Sequence, residues 1–334
     1  GQIEAALFSN TRQPILEGQN AVRGQIALAP LGLDTIPIVN VENACASGSS
    51  AVAMGADMIQ AGRAQTVLVV GAEKMVYRDR DELVMKAFRG GTDVERIDET
   101  AARMAACGAA LLPERYTPAP RRSFFMDIYA GLARLHMERF GTTPEQIAYA
   151  AAKNHTNAVR NPRAQYGGET SPAQVLADKP VVWPLTRLMC APISDGAAAL
   201  VLRPAREAGQ RGVTLAGTGW TSASDRTLED YDNHLGRRAA LKAYEAAGIG
   251  PEEIDLAEVH DATSFAELLQ IENLGPCPRG EGGAFTASGA TAYNGRIPVN
   301  VSGGHPKSIS IGILCVKPTG LLPVTAAKAQ QAFT

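Results

Sequence analysis

The stretch Val41–Val70 constrains the fold more than any other part of the chain. It opens with a polar turn of small residues, Asn43-Ala44-Cys45-Ala46-Ser47-Gly48-Ser49-Ser50, and then carries no charge until Asp57. An Ala- and Met-rich segment without a charged face reads as a buried helix. Gly62 ends it, and Thr66–Val70 is an apolar, β-branched run short enough for a strand buried on both faces. With Pro37–Val41 ahead of it, the unit reads strand, turn, helix, strand, and Cys45 stands where the first strand hands over to the helix.

A cysteine in that place gains from geometry. Unpaired N–H groups and the positive end of the helix dipole favour the thiolate, the nucleophilic form. The Ala, Ser and Gly around it leave room for a bulky thioester, and backbone N–H groups there are candidate donors to an oxyanion. The competing reading is a thiol used as a small buried hydrophobe.

With 334 residues, 45% apolar and 20% charged, the chain has the composition of a folded protein large enough for one large or two ordinary domains. Its net charge is −2, from 32 basic and 34 acidic residues, so bulk charge recruits neither nucleic acid nor a membrane surface. The five cysteines are widely spaced and form no C-x-x-C, which argues against a disulfide framework or a zinc site and for a reducing compartment. No apolar run approaches a membrane span and no leader pattern opens the chain, so the expectation is a cytoplasmic protein. Because Ile3–Phe8 already reads as a strand, the chain is expected to be a fragment.

Four ordered segments resemble the thiolase superfamily: Gly18-Gln19-Asn20, the C-[AS]-[ST]-G turn at Cys45-Ala46-Ser47-Gly48, Cys190 to Ala199, and Glu258-Val259-His260-Asp261-Ala262-Thr263. Within that superfamily the chain looks most like the sterol-carrier-type, or lipid-transfer, thiolases. The resemblance implies an α/β thiolase fold, two similar βαβ-type halves with buried helices between mixed sheets. The expected boundaries are 1–205 for the first half, with a loop domain at about 77–180, and 206–334 for the second, divergent or truncated after about 309. It also implies an acyltransferase of lipid or steroid side-chain metabolism that acts on coenzyme A thioesters, with no permanently bound cofactor. Cys45 would be the nucleophile, His260 the group that polarises the acyl carbonyl, and His305 the base that deprotonates Cys45. Arg122, Ser123 and Met126 fall where the family covers the coenzyme; as plain sequence they read equally well as a basic pair beside core. A homodimer is implied, and the rival reading is a non-catalytic or partner-dependent subunit, or retro-aldolase component, that works with a zinc-ribbon/OB-fold protein.

Two departures from the family pattern stand out. The branch usually has H-D-C-F where this chain has His260-Asp261-Ala262-Thr263, and Ala262 cannot move a proton toward a second substrate. Thr263 and Ser264 are poor bases, and Tyr293 is a candidate donor. After Asn300-Val301-Ser302-Gly303-Gly304, His305 follows at once with no spacer; either it fills the base role through a shortened loop or the register is lost. Elsewhere Cys190 reads as core, Asp195 as a turn residue, and neither His136 nor His155 as catalytic. Helices are expected at Ser123–Phe140, from Thr143 with Gln146 closing its cap, at Asn233–Ala247 and at Phe265–Leu274. Further strands are expected at Val213–Gly217 and Ile254–Val259.

Overall fold

The computed structural model describes residues 2–165, 167–207, 212–223, 225–304 and, as backbone, 314–316. Strand β1 (Ala5–Ser9) lies between β2 (Ile38–Val41) and β3 (Val67–Glu73), parallel to both, with Leu7 opposite Val39 on one side and Val69 on the other. The connections run through the short helices α1 (Gln13–Glu17) and α2 (Arg23–Leu28) and through α3 (Ser47–Gln60). The sheet is completed by β6 (Gly196–Leu202), antiparallel to β3, giving the order β2-β1-β3-β6.

Helix α3 is the buried element that its lack of charge predicts. Ala51 and Val52 pack with Ala5, Leu7, Val67 and Val69 into one core cluster. The approach to the sheet is close enough that a Cβ on Gly55 would meet Leu202 Cδ1 at 2.7 Å, so any larger residue there would push the Leu202 side chain aside. The opposite face of β1 packs Ala6 and Phe8 against Leu28 of α2. Gly62 follows with φ of +68°, a conformation that L side chains rarely adopt.

Between β3 and β6 the chain is mostly helical: α4 (Asp81–Arg89), α5 (Ile97–Ala106), α6 (Phe124–Phe140), α7 (Pro144–Asn157) and α8 (Pro172–Leu176), then the short strands β4 (Pro180–Val182) and β5 (Leu185–Thr186). Helix α7 begins as its sequence predicts, with Thr143 Oγ1 accepting from Gln146 N at 3.2 Å and Gln146 Oε1 accepting from Thr143 N at 3.0 Å. Helices α6 and α7 share the largest core cluster with Phe265 and Leu268 of α10 (Ser264–Leu274). Helix α10 is buried along nearly its whole length, since its other side meets Ala257, Val259 and Tyr244 of α9 (Leu235–Ala247) in a second cluster. Helix α10 is thus enclosed between helices on one side and the Ala257 strand with α9 on the other, whereas α3 is covered by a sheet on one face, so helices lying between two sheets are not seen among the described residues.

In the second half, β7 (Leu256–Glu258) pairs antiparallel with β8 (Leu314–Val316), and Ala257 also bridges to Val299. The strand expected at Val213–Gly217 does not form. Gly217 and Gly219 instead lie so close to α9 that a Cβ on them would meet Ala243 O at 2.7 Å and Ala239 O at 2.1 Å. The segment is pressed lengthwise on a helix, which has no free ladder to offer it. The short helix α11 (Gly282–Ala287) follows α10.

A buried charge cluster fastens α6 to α10. His136, fully buried, contacts Thr142 Oγ1 through Nδ1 at 2.8 Å and Glu272 Oε2 through Nε2 at 3.2 Å, while Arg279 reaches the same carboxylate at 3.2 Å. Burial pushes the Glu272 carboxyl upward, but the His136 contact and the N–H groups of Gly280 and Gly282 bring it below the ordinary value of 4.5. Glu272→Gln, which leaves His136 and Arg279 without a carboxylate, is expected to lose about 3 kcal/mol of stability at neutral pH, read as a lower denaturation midpoint. Because the folded-state value is depressed, that difference is complete above about pH 4.5 and shrinks as pH falls through the folded value. Equal wild-type and variant stabilities at neutral pH would contradict this account.

Candidate active site

The Cys45 turn is held by its own small side chains. Ser47 Oγ donates to Ala44 O at 2.7 Å and accepts from Asn43 N at 2.8 Å, and Asn43 Nδ2 donates to Ser50 Oγ at 2.9 Å. Ala44 pays for the sharp reversal with a φ of +47°, a region costly for a residue with a Cβ. Ser9 Oγ, at the end of β1, donates to Ser47 O at 3.1 Å and ties the turn to the sheet. The result presents Cys45 just ahead of the α3 N-terminus, solvent-accessible as a residue although protein crowds round its sulfur.

His260 arrives from the other half, two residues past the end of β7. Asn300, with φ of +52°, fixes that position: its N donates to Ala257 O at 2.9 Å and its Oδ1 accepts from Val259 N at 2.8 Å. Its Nδ2 donates to Glu267 Oε2 at 2.8 Å. Lys153 sits 3.0 Å from Glu267 Oε1, and Asn154 Nδ2 donates to Asp261 Oδ2 at 2.9 Å and to Glu267 Oε2 at 2.6 Å. Helices α7 and α10 thus grip the residues on both sides of His260 through buried amides and one ion pair. Glu258, on the same strand face as His260, accepts from Ser302 N at 2.9 Å and Ser302 Oγ at 2.7 Å, and burial lifts its carboxyl to about 7.

The two arms meet. The Cys45 sulfur and the His260 ring come within electrostatic reach of each other. Burial works against charge on both groups, yet the attraction between them is larger: the Cys45 thiol falls below its usual value of 9.0 and the His260 imidazole rises above 6.5. Arg12 adds a smaller pull on the thiol. Each shift runs toward the charged form, thiolate on Cys45 and imidazolium on His260.

Tyr129 of α6 feels the charges of Cys45 and Asp261, and burial holds its phenol well above the usual range, so it keeps its proton. Its spacing on one face of α6 reads as core, and nothing in the sequence sets it beside the thiol; the same holds for Arg12. Of the candidate coenzyme contacts, Met126 lies one helical turn before Tyr129 and packs on the core cluster, and Ser123 precedes α6. The Arg122 guanidinium is engaged by Asp127 at 2.7 Å and by Ala119 O at 2.6 Å. His305 lies outside the described residues.

The hydroxyls around Ala262 serve the fold. Thr263 caps α10 and Ser264 donates to Met189 O at 3.2 Å, while the Ala262 carbonyl accepts from Ala191 N at 3.0 Å. Cys190 donates to Thr186 O and burial drives its thiol up to about 12. Asp195 is a turn clamp that accepts from Met75 N and Val76 N at 2.7 and 2.8 Å. Tyr293 is half exposed and stacks with Arg160. Among the described residues no cluster of three or more His, Cys, Asp or Glu could hold a metal ion, and no helix is long and apolar enough to cross a membrane.

Comparison with known proteins identifies the family. Residues 1–182 match the thiolase N-terminal domain and residues 217–314 the thiolase C-terminal domain-like family. The chain belongs to the thiolase family. It is 37% identical over 279 residues to an acetyl-CoA acetyltransferase of Methanothermobacter thermautotrophicus, covering 82% of this chain and 67% of that one. It is 34% identical over 290 residues to sterol carrier protein 2 of Rattus norvegicus, covering 82% of this chain and 49% of the relative, so it spans about half the length of that protein. Among solved structures, the Ltp2-ChsH2(DUF35) aldolase superposes with a TM-score of 0.67 at 22% identity over 92% of this chain and 75% of the other. A monomeric SCP2-thiolase-like protein from Mycobacterium smegmatis gives 0.58 at 18% over 91% and 57%.

The Cys45–His260 contact makes a direct prediction. Alkylation of Cys45 by iodoacetamide, followed by peptide mass, should reach half its maximal rate below pH 9.0, while Cys190 and Cys277, both pushed up to about 12, stay unmodified in the folded protein. His260→Ala should move the Cys45 midpoint upward; an unchanged midpoint would show that the imidazole does not hold the thiolate.

Proposed function

We propose that the protein transfers acyl groups from coenzyme A thioesters through an acyl-enzyme on Cys45. The observation that carries this reading is the meeting of Cys45 and His260 from the two halves, each pulling the other toward its charged form. The thiolate attacks the thioester carbon, the C–S bond to coenzyme A breaks, and the departing sulfur takes the proton from His260. In this account His260 is the base and acid of the acylation step rather than only a carbonyl-polarising group. Backbone N–H groups at the start of α3 and the protonated Tyr129 hydroxyl are the available donors to the oxyanion. Met126, in the first turn of α6, and Ser123, just before it, would line the pantetheine arm on this reading, and Arg122 would have to leave Asp127 to meet a phosphate. Lipid or steroid side chains are the substrate class suggested by the sterol carrier relatives.

A second reading has its own support. Ala262 leaves the second, carbon-centred step without a thiol, and one structural relative is an aldolase assembled from two proteins. On that reading the chain is the acyl-CoA-binding subunit of a partner-dependent lyase. Intact-protein mass after incubation with acetyl-CoA and a longer acyl-CoA separates the two. A thioester-sized gain that disappears in Cys45→Ala supports acyl transfer. No gain with either donor overturns it and leaves the partner-dependent reading.

A further inference from the structure

The residues on either side of His260 are held by two buried amides that share one acceptor. Asn300 Oδ1 accepts from Val259 N, and Asn154 Nδ2 of α7 donates to Asp261 Oδ2 at 2.9 Å. Both amides also donate to Glu267 Oε2, Asn300 at 2.8 Å and Asn154 at 2.6 Å. Asn154 is the more heavily committed of the two, because its Oδ1 accepts from Lys153 Nζ at 2.7 Å. An amide nitrogen carries two hydrogens, so each carboxylate takes one. Turning the amide over would set its oxygen against both carboxylates and its nitrogen against the ammonium, so the charges around it allow one orientation. Lys153 is fixed in turn by Glu267 Oε1 at 3.0 Å and Val299 O at 2.5 Å.

Asn154, Asp261 and Glu267 are each exposed by 1% or less, so water does not replace a bond that is lost here. The Gly303-Gly304 turn lies against the same contact: a Cβ on Gly304, where φ is +66°, would collide with Asp261 Oδ2 and stand 2.7 Å from Asn154 Nδ2. Helix α7, the His260 loop and that turn therefore meet at one buried bond. Asp261 is the next residue after His260, their Cα atoms about 3.8 Å apart, so moving its carboxylate moves the backbone that carries the imidazole. Both hydrogens of the Asn154 amide go to carboxylates, which leaves it acting on the imidazole through Asp261 and not directly.

We propose that Asn154 is a positioning residue for His260: bonded to Asp261 and Glu267 at once, it sets the loop that aims the imidazole at Cys45. The proposal rests on the reading of His260 as a site residue. Its test uses no acyl donor, so it and the acyl-transfer reading fail separately. The probe is the ring carbon–proton signal of His260 in histidine-labelled protein, assigned by its loss in His260→Gln and followed through pH, with His136 and His234 as references. The variants are Asn154→Ala, Asn154→Ser and Gly304→Ala. The wild-type His260 midpoint lies above 6.5. Asn154→Ala should lower it by roughly half a pH unit, a threefold loss of imidazolium at a fixed higher pH, while the two reference signals stay in place. Asn154→Ser keeps a hydroxyl donor too short to reach both carboxylates and should give a smaller fall. Gly304→Ala changes no charge but wedges the contact from the other side, and should move His260 the same way. If Asn154 only stabilises the fold, Asn154→Ala lowers the denaturation midpoint and leaves the His260 midpoint where it was, which overturns the proposal. If Asn154→Ala does not fold, an unchanged His260 midpoint in Asn154→Ser and Gly304→Ala does so.

Discussion

The site depends on a single interaction made across the two halves, the electrostatic attraction between Cys45 and His260. Neither partner has a favourable environment for charge by itself, because burial raises the thiol and lowers the imidazole. Together they reverse both tendencies. For that to work, two loops from different sheets must arrive at one point and stay there, which explains how much polar machinery is buried behind them. Asn300, Asn154, Glu267 and Lys153 form a continuous set of bonds with the β7 end, the first three buried and Lys153 reaching in from the edge. Buried amides of this kind cost more to leave half-paired than they contribute when satisfied, so they specify one geometry sharply.

The two arms are built differently. On the Cys45 side the geometry is local: Asn43, Ser47 and Ser50 hold a turn that spans only a few residues. On the His260 side it is borrowed from distant elements, with α7, α10 and the turn at Asn300 each supplying a bond. Local geometry survives small changes in packing, whereas the borrowed arm moves with the helices that grip it. Mobility of the second half would therefore be felt at His260 before it was felt at Cys45.

What the sequence made legible follows the same division. The strand, turn and helix around Cys45, the Thr143–Gln146 cap and the buried character of α3 are written in short-range patterns. The strand expected at Val213–Gly217 failed because alternation in a short apolar run says nothing about whether a neighbouring strand is available; two glycines let the segment lie on α9 instead. Arg12 and Tyr129 carried no signal as site residues. An arginine beside a turn and a tyrosine on an apolar helix face look ordinary until tertiary packing places them by the thiol. The approach of His260 to Cys45 was likewise implied only by resemblance, with a different role attached to it.

The division of the pair between the halves has a consequence for the order in which the chain is made. A ribosome delivers the Cys45 turn with its sheet and helix long before His260 emerges, and N-terminal units fold first. Until β7 docks, the thiol keeps only the smaller support of Arg12 and the α3 terminus and behaves as a nearly ordinary cysteine. The reactive form is thus assembled last, when the second half closes over it. In a chain that has made only its first half the Cys45 thiol lacks the pull of His260, so a lowered thiol pKa reports that the two halves have met.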